Sequence, residues 1–565
     1  MLDRLRKRLD AGLFFAKTLR AAGVLAPIKP TAIAQFARAA RHSKLGPHLA
    51  VMFHAAAHPD KEAIVEYGPR GVTRLTWSEF DAAINRLANA LHARGVTAGS
   101  RVATMLPNCT EYLIAQQALA RMSATAVQIG YRLKGAEIAH ILENSQPSAT
   151  IVHFDYLGAL REARTLAGRT LTGRTLAGRT EEVIVVGAAP GQDVRDADDW
   201  DRALAAADPH APPKISGGDG GGVIVYTSGT TGKPKGANRS YKKTGFESVA
   251  DMILQMGIRA DDRHLVVCPL YHSAAPAFVA VMMALGATIV LQDHFEPEPC
   301  LQIIERERIT CTLMVPTMLI RIAALPPETI AKYSLRSLRW VMSGAAPLST
   351  EAARRFMDAF GPILWNFYGS TETGLVTLAG PGDHVTRPGT IGKAMRGNQI
   401  RLLDDQGSAV PLGQVGELYA RNSTLITGYH GNAEATSAAQ REGFYSVGDI
   451  GRVDAAGYYY LESRKHDMVI SGGVNIYPRE IEDHLSTHPK ILEAAVVGVP
   501  DPEWGETLRA FIVLRNGERL TETDVVDYCR TALADYKRPR KVTFLAELPR
   551  NPTGKILKRE LRELS

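Results

Sequence analysis

The chain has 565 residues, 45% of them hydrophobic and 22% charged, and its 66 basic and 59 acidic side chains leave a net charge of +7. Single hydrophobic cores stop growing at roughly 250–300 residues, so several domains are required, and this composition excludes a fibrous or disordered chain. The excess charge is modest and forms no long basic stripe interleaved with aromatics, so nucleic acid is not expected as a partner.

In chain order, the first twenty residues carry Arg4, Arg6, Lys7, Arg8, Lys17 and Arg20 together with Leu2, Leu5, Leu9 and Leu13 at helical spacing. This predicts a basic amphipathic helix, retained because no cleavage site of a secretory signal follows it. Two readings stand for it: packing on its own protein, or peripheral contact with an anionic membrane at the cytoplasmic inner face. From Val51 onward the β-rich runs Ala63–Tyr67, Val102–Leu106, Ala149–Phe154 and Glu182–Val186 alternate with helical patterns such as Trp77–Arg94. That rhythm predicts an α/β fold of layered sheets and helices with largely parallel strands. The repeat RTLAGRTLTGRTLAGRT, Arg164–Thr180, is too short a unit for a solenoid and reads as an expanded surface loop. Ser216–Gly222, SGGDGGG, reads as a flexible lead-in to the strand-like VIVY, with a phosphate loop as the other reading.

Ala274–Leu291 reaches the length of a membrane span but contains Pro276 and Gly286, which favours a buried helix followed by a strand. Cys109, Cys268, Cys300, Cys311 and Cys529 are scattered without metal-site spacing, which suits a reducing, cytoplasmic interior. Three segments are expected: a basic N-terminal segment 1–45, a large domain 46–465, and a small mobile α/β domain 466–565. The last boundary is set where the strand-like GYYYLE, Gly457–Glu462, gives way to polar RKHD.

The chemistry concentrates first in Tyr226–Gly236, YTSGTTGKPKG. Hydroxyls and backbone N–H groups at Thr227, Ser228, Gly229, Thr230, Thr231 and Gly232 can wrap phosphate oxygens, and Lys233 and Lys235 supply positive charge. The spacing is not that of the GxxxxGK[ST] loop, and alone it would be a plain turn-rich loop. It is accompanied in order by SGAAPL (Ser343–Leu348), YGSTETG (Tyr368–Gly374), YSVGD (Tyr445–Asp449), SRKHDMVISGGVNIYPREIE (Ser463–Glu482) and NPTGK (Asn551–Lys555). This ordered set resembles the adenylate-forming superfamily of acyl- and aryl-CoA synthetases, luciferases and peptide-synthetase adenylation domains, and is most similar to the fatty acyl-CoA synthetases.

The resemblance implies ATP, CoA and Mg²⁺ as cofactors, a small carboxylic acid as substrate, and two half-reactions. A carboxylate first attacks ATP to give an acyl-adenylate and diphosphate; the CoA thiol then displaces AMP. It further implies that Tyr368 stacks on adenine with Gly369 beside it, Thr371 bonds the α-phosphate, Glu372 binds Mg²⁺, and Asp449 and Arg464 hold the ribose. Lys555 would bridge the carboxylate and the α-phosphate, while Gly472 and Gly473 would let the pantetheine arm pass close to backbone. Gly344, Ala345 and Ala346 would line an acyl pocket with room for an aliphatic chain. His272, in PLYHSAA, is a candidate gate or carboxylate contact, with a structural histidine as the other reading.

Two positions depart from the pattern: Val447 stands where relatives carry Thr, and His466 stands at the hinge, where Asp or Lys is usual. His466 suggests a domain rotation sensitive to pH near neutrality. The expected activity is fatty acyl-CoA synthesis on medium- to long-chain or other hydrophobic acids. A fatty acyl-AMP ligase without a CoA step and a non-catalytic lipid-binding or membrane-adaptor protein are the alternatives. The absence of GxSxG argues against a serine hydrolase.

Overall fold

The computed structural model describes residues 12, 14, 16–24, 29–41, 44, 46–167, 182–194, 196–212, 221–227, 234–241, 246–472, 474–551 and 554–564. Most of the N-terminal basic stretch, residues 168–180 of the repeat, the glycine-rich lead-in before Gly221, Ser228–Lys233 and Gly473 therefore lie outside the described residues. Cα packing divides the chain into two units. The first comprises Met1–Leu313, Ala331–Trp340 and Ser423–Ala438, and the second Met314–Ile330, Val341–Asn422 and Ala439–Ser565.

In the first unit the β-rich runs become strands and the periodic segments become crossover helices. An eight-stranded sheet runs in the order Gly428–Tyr429, Lys235–Ser240, Gly222–Thr227, Thr125–Gln128, Arg101–Met105, Ala149–His153, Glu182–Val186 and Asp198–Asp199. It is parallel from Gly222–Thr227 onward. The strand Glu62–Gly68 pairs in parallel with Thr288–Gln292, which pairs in parallel with Arg263–Val266. Parallel pairing needs a long crossover between strands, which Thr110–Arg121 supplies between Arg101–Met105 and Thr125–Gln128, whereas Trp77–Ala93 leads from one sheet to the other. That helix starts where Thr76 and Glu79 form a reciprocal capping box, and it buries Trp77, Phe80, Ile84, Leu87 and Leu91 on one face. Ala274–Leu285 is helical and Thr288–Gln292 is a buried strand, as Pro276 and Gly286 suggested. Among the described residues no helix is long and apolar enough to cross a membrane.

The second unit departs from the parallel expectation. Trp340–Ser343 runs parallel to Leu364–Ser370. Leu364–Ser370, Gly374–Ala379, Thr390–Ala394, Tyr459–Arg464, Phe444–Val453, Gly416–Arg421 and Gln399–Leu403 then follow one another antiparallel. The physical reason is connection length. Ser370 and Gly374 are separated by a turn too short to hold a crossover, so the chain must return as a hairpin.

The same unit holds a five-stranded sheet built on the long hairpin of Ile491–Asp501 and Gly505–Leu514. Strand alternation sends Val496, Ala510 and Ile512 to one face, where the helices Pro478–Ser486 and Glu522–Arg530 bury Ile481, Leu485, Val525 and Cys529. Ala495, Val497, Val499, Phe511 and Val513 point to the other face and are covered by Leu548 and Leu561. Each of these two leucines contributes about 1.5–3 kcal/mol by burial. They flank the NPTGK segment in sequence, so the segment is fastened to the sheet at both ends.

Candidate active site

The second unit gathers the charged residues nominated from sequence. Tyr368 lies near the end of the strand Leu364–Ser370, buried with Asp449 and Glu372 at 6–8% exposure. Its hydroxyl donates to Asp449 Oδ2 at 2.8 Å. Asp449 on Phe444–Val453 and Arg464 on Tyr459–Arg464 are direct cross-strand partners, and Arg464 Nε stands 3.0 Å from Asp449 Oδ1. Both carboxylate oxygens of Asp449 are thus engaged, yet each retains a lone pair for a further donor. Burial, followed by the Asp449 charge and its hydrogen bond, pushes the Tyr368 hydroxyl well above its ordinary range, which keeps it a donor.

Gly369 is demanded by a close approach, since a Cβ there would stand 1.9 Å from the Gly374 carbonyl oxygen. The intervening turn is closed by the Ser370 hydroxyl, which accepts from the N–H groups of Glu372 and Thr373, each at 3.1 Å. Asn422 Nδ2 donates to the Thr373 carbonyl at 2.9 Å. Thr371 and Glu372 are therefore presented from a rigid turn and not from a loose loop. Gly344 is buried and packs so tightly that a Cβ would stand 2.2 Å from the Phe367 ring. Ala345, exposed, adopts φ +66°, a left-handed conformation uncommon for a non-glycine residue, with partly buried Ala346 after it.

Lys555 belongs to the same charged cluster. Burial first and then the like charge of Arg464 lower its pKa to about 8, while the carboxylates of Asp449 and Asp467 work in the opposite direction. Gly554 has φ +77°, and a Cβ there would meet Thr317 Oγ1 at 2.6 Å, so only glycine suits the position before the lysine. Asp467, which sequence reasoning passed over, pairs with Arg562 at 2.9 Å. The His466 pKa is lowered by burial and then by Arg464, Lys555 and Arg562, against the pull of Asp467. The imidazole is therefore neutral at pH 7, and its titration moves to the acid side of neutrality.

Gly472 has φ +55° and approaches Trp504 so closely that a Cβ would lie 2.8 Å from the ring; its N–H donates to the Trp504 carbonyl at 2.9 Å. Val447, in the strand with Asp449, precedes Gly448, whose N–H donates to Ser446 Oγ at 3.0 Å.

In the first unit, Thr227 and Lys235 face each other at the ends of an antiparallel pair, which makes Ser228–Lys233 the connection between two strands. The Lys235 ammonium stands 5.6 Å from the centroid of the Tyr429 ring. His272 packs against Tyr271 with ring centroids 4.1 Å apart, and burial pushes its pKa down to about 3. A neutral imidazole can donate a hydrogen bond but cannot form an ion pair with a carboxylate. Among the described residues, His272 Nε2 and the Tyr271 hydroxyl are buried and meet no hydrogen-bond partner. Tyr131 stacks on Tyr156 at 4.8 Å and meets Tyr271 edge-on at 5.1 Å.

One buried carboxylate at Glu372, beside groups suited to a nucleotide, fits Mg²⁺, which takes one or two carboxylates together with substrate phosphates. Among the described residues there is no group of three or more His, Cys, Asp or Glu side chains that would cage a metal by protein alone.

The chain also matches known protein families. Residues 52–430 match the AMP-binding enzyme family and residues 480–555 match the AMP-binding enzyme C-terminal domain. The chain belongs to this adenylate-forming family, with its large N-terminal and small C-terminal domains. It is 35% identical over 527 residues to a feruloyl-CoA synthase of an Amycolatopsis species, covering 92% of this chain and 97% of that protein. It is 33% identical over 512 residues to the long-chain-fatty-acid–CoA ligase FadD13 of Mycobacterium tuberculosis, covering 90% and 96%. Among solved structures, the anthranilate CoA ligase AuaEII in complex with anthranoyl-AMP superposes with a TM-score of 0.81 at 26% identity, covering 93% and 98%. The chain is an acid–thiol ligase of the acyl/aryl-CoA class, working through an adenylate with ATP, CoA and Mg²⁺.

Proposed function

We propose that this ligase activates a hydrophobic carboxylic acid, with medium- to long-chain fatty acids as the first reading, and that Lys555 drives the adenylation step. The observation that carries the second point is the partly buried Lys555, its pKa lowered to about 8, within electrostatic reach of the Asp449–Arg464 pair. Two anionic reactants and a transition state richer in local charge call for a preorganised ammonium in a place of low solvation. Binding those anions raises the lysine pKa and secures its protonated form.

Asp449 and Arg464 orient the ribose, Tyr368 presents its ring to adenine while its hydroxyl is tied to Asp449, and Thr371 bonds the α-phosphate. Glu372 would hold Mg²⁺, which would neutralise phosphate charge. The strand pair ending at Thr227 and Lys235 grips the departing diphosphate through its connection. In the second half-reaction the CoA thiol attacks the acyl carbon, the bond to AMP breaks, and the pantetheine arm passes the backbone at Gly472 and Gly473. Rotation of the 466–565 segment about His466 separates the two steps. The short connections among Tyr459–Arg464, Val469–Ser471, Val474–Ile476 and Pro478–Ser486 support a full CoA ligase over an acyl-AMP ligase.

A second reading of the substrate is an aromatic acid. It is favoured by the similarity to the feruloyl-CoA synthase and by the Tyr131–Tyr156–Tyr271 cluster beside His272, which offers ring faces and two polar atoms without a partner among the described residues. Diphosphate release across a panel of aliphatic and aromatic acids, with and without CoA, tests both readings. Turnover confined to cinnamate-like acids would displace the fatty-acid reading, and product accumulating as adenylate despite CoA would displace CoA ligation.

A further inference from the structure

The loop that presents Lys555 is held by a group outside the family motif. Arg550 Nη1 donates to the Gly554 carbonyl at 2.6 Å, and its Nη2 is paired with the carboxylate of Glu493. Glu493 sits on Ile491–Asp501, on the same alternation as Ala495 and Val497, and so belongs to the face covered by Leu548 and Leu561. On the other side of the same peptide bond, the Lys555 N–H donates to Asn551 Oδ1 at 2.9 Å. The Asn551 N–H in turn donates to the Lys555 carbonyl at 2.9 Å, and Leu557 N–H to the Pro549 carbonyl at 2.8 Å.

The Gly554–Lys555 peptide is therefore clamped at both ends, its oxygen by Arg550 and its N–H by Asn551. Gly554, at φ +77°, lacks the Cβ that would restrict its backbone. An untethered peptide there would rotate and swing the lysine side chain with it. A guanidinium anchored to a sheet carboxylate and reaching a carbonyl through a second nitrogen removes that freedom, which a single ammonium could do only in part.

We propose that Arg550, anchored by Glu493, is a positioning residue for adenylation: it fixes the Gly554–Lys555 peptide so that the Lys555 ammonium is aimed at the reacting phosphate. The inference rests on Lys555 as the adenylation lysine. It predicts a selective defect, because the thioester-forming step does not use Lys555.

The test uses the full-length chain as parent, Arg550→Ala, Arg550→Lys, Glu493→Gln and Lys555→Ala. Two rates are measured: ATP–diphosphate exchange with an acid the parent turns over, and conversion of the corresponding synthetic acyl-adenylate to acyl-CoA. Arg550→Ala lowers kcat of exchange about 100-fold, the scale of a roughly 1 Å misplacement. KM for ATP, the adenylate-to-thioester rate and Tm stay within about twofold or a few degrees of the parent. Arg550→Lys restores part of the exchange rate, and Glu493→Gln, which keeps the fold of the loop, falls between parent and Arg550→Ala. Parallel loss of both rates, or exchange in Arg550→Ala equal to the parent while Lys555→Ala is inactive, overturns the proposal alone. Full exchange in Lys555→Ala overturns the reading of Lys555 and the proposal with it.

Discussion

Replacing Lys555 by Met removes a charge that the fold holds at a cost, and the size of that cost follows from the structure. The lysine pKa falls from 10.5 to about 8 through burial and the proximity of Arg464. A drop of about 2.5 units is worth about 3 kcal/mol at 1.36 kcal/mol per unit. Its sign follows from proton counting. Between pH 8 and 10.5 the unfolded chain binds more protons at this site than the folded one, so stability rises with pH across that window. Below pH 8 the full penalty applies; above 10.5 it vanishes.

Lys555→Met therefore stabilises the ligand-free protein at pH 7 while abolishing adenylation, and the stability gap to the parent narrows as pH climbs from 8 toward 10.5. Methionine packs differently from lysine, but that contribution does not vary with pH and only offsets the curve. Thermal unfolding of parent and variant at a series of pH values measures the gap. A gap that stays constant across the window, or widens, refutes the claim that Lys555 is strained toward its neutral form.

Further outcomes follow from neighbouring contacts. Asp449→Asn removes the carboxylate that holds the Lys555 pKa up, so the alkaline limb of ATP–diphosphate exchange moves to lower pH; leaving Arg464 without its partner costs stability of about 3 kcal/mol, read by denaturation. Gly554→Ala combines a left-handed φ with a Cβ 2.6 Å from Thr317 Oγ1, and it lowers exchange while Thr317→Gly in the same chain recovers part of it. The parent's thioester-forming step carries an inflection below pH 6.5 from His466, and His466→Asp loses it; an unchanged pH profile removes His466 from the hinge account.

The motifs made the charged centre legible before the fold was known. Tyr368, Asp449, Arg464 and Lys555 lie far apart in sequence, yet each sits in a string whose residues have a defined chemical use, and the structure brings them into one electrostatic neighbourhood. The parallel sheet of the first unit was equally readable, because apolar runs separated by helix-length segments leave few other folds. The antiparallel half was not, since strand direction there depends on turns of a few residues such as Ser370–Gly374 and not on hydrophobic periodicity.

Arg550 and Glu493 were invisible for a different reason. Arg550 stands among other basic residues near the C-terminus, and its partner is 57 positions away on a strand whose facing is known only after pairing. The same holds for Ala345, whose left-handed backbone leaves no mark in composition. His466 illustrates the limit in the other direction: its type announced a titration near neutrality, and the cations Arg464, Lys555 and Arg562 together with burial displace it.

The role proposed for Lys555 is adenylation and not thioester formation. Single-turnover rates for Lys555→Ala, started once from acid plus ATP and once from synthetic acyl-adenylate plus CoA, test this most directly. The prediction is a loss of several orders of magnitude in the first rate with the second close to that of the parent. Equal losses in both, or an intact first rate, would contradict it.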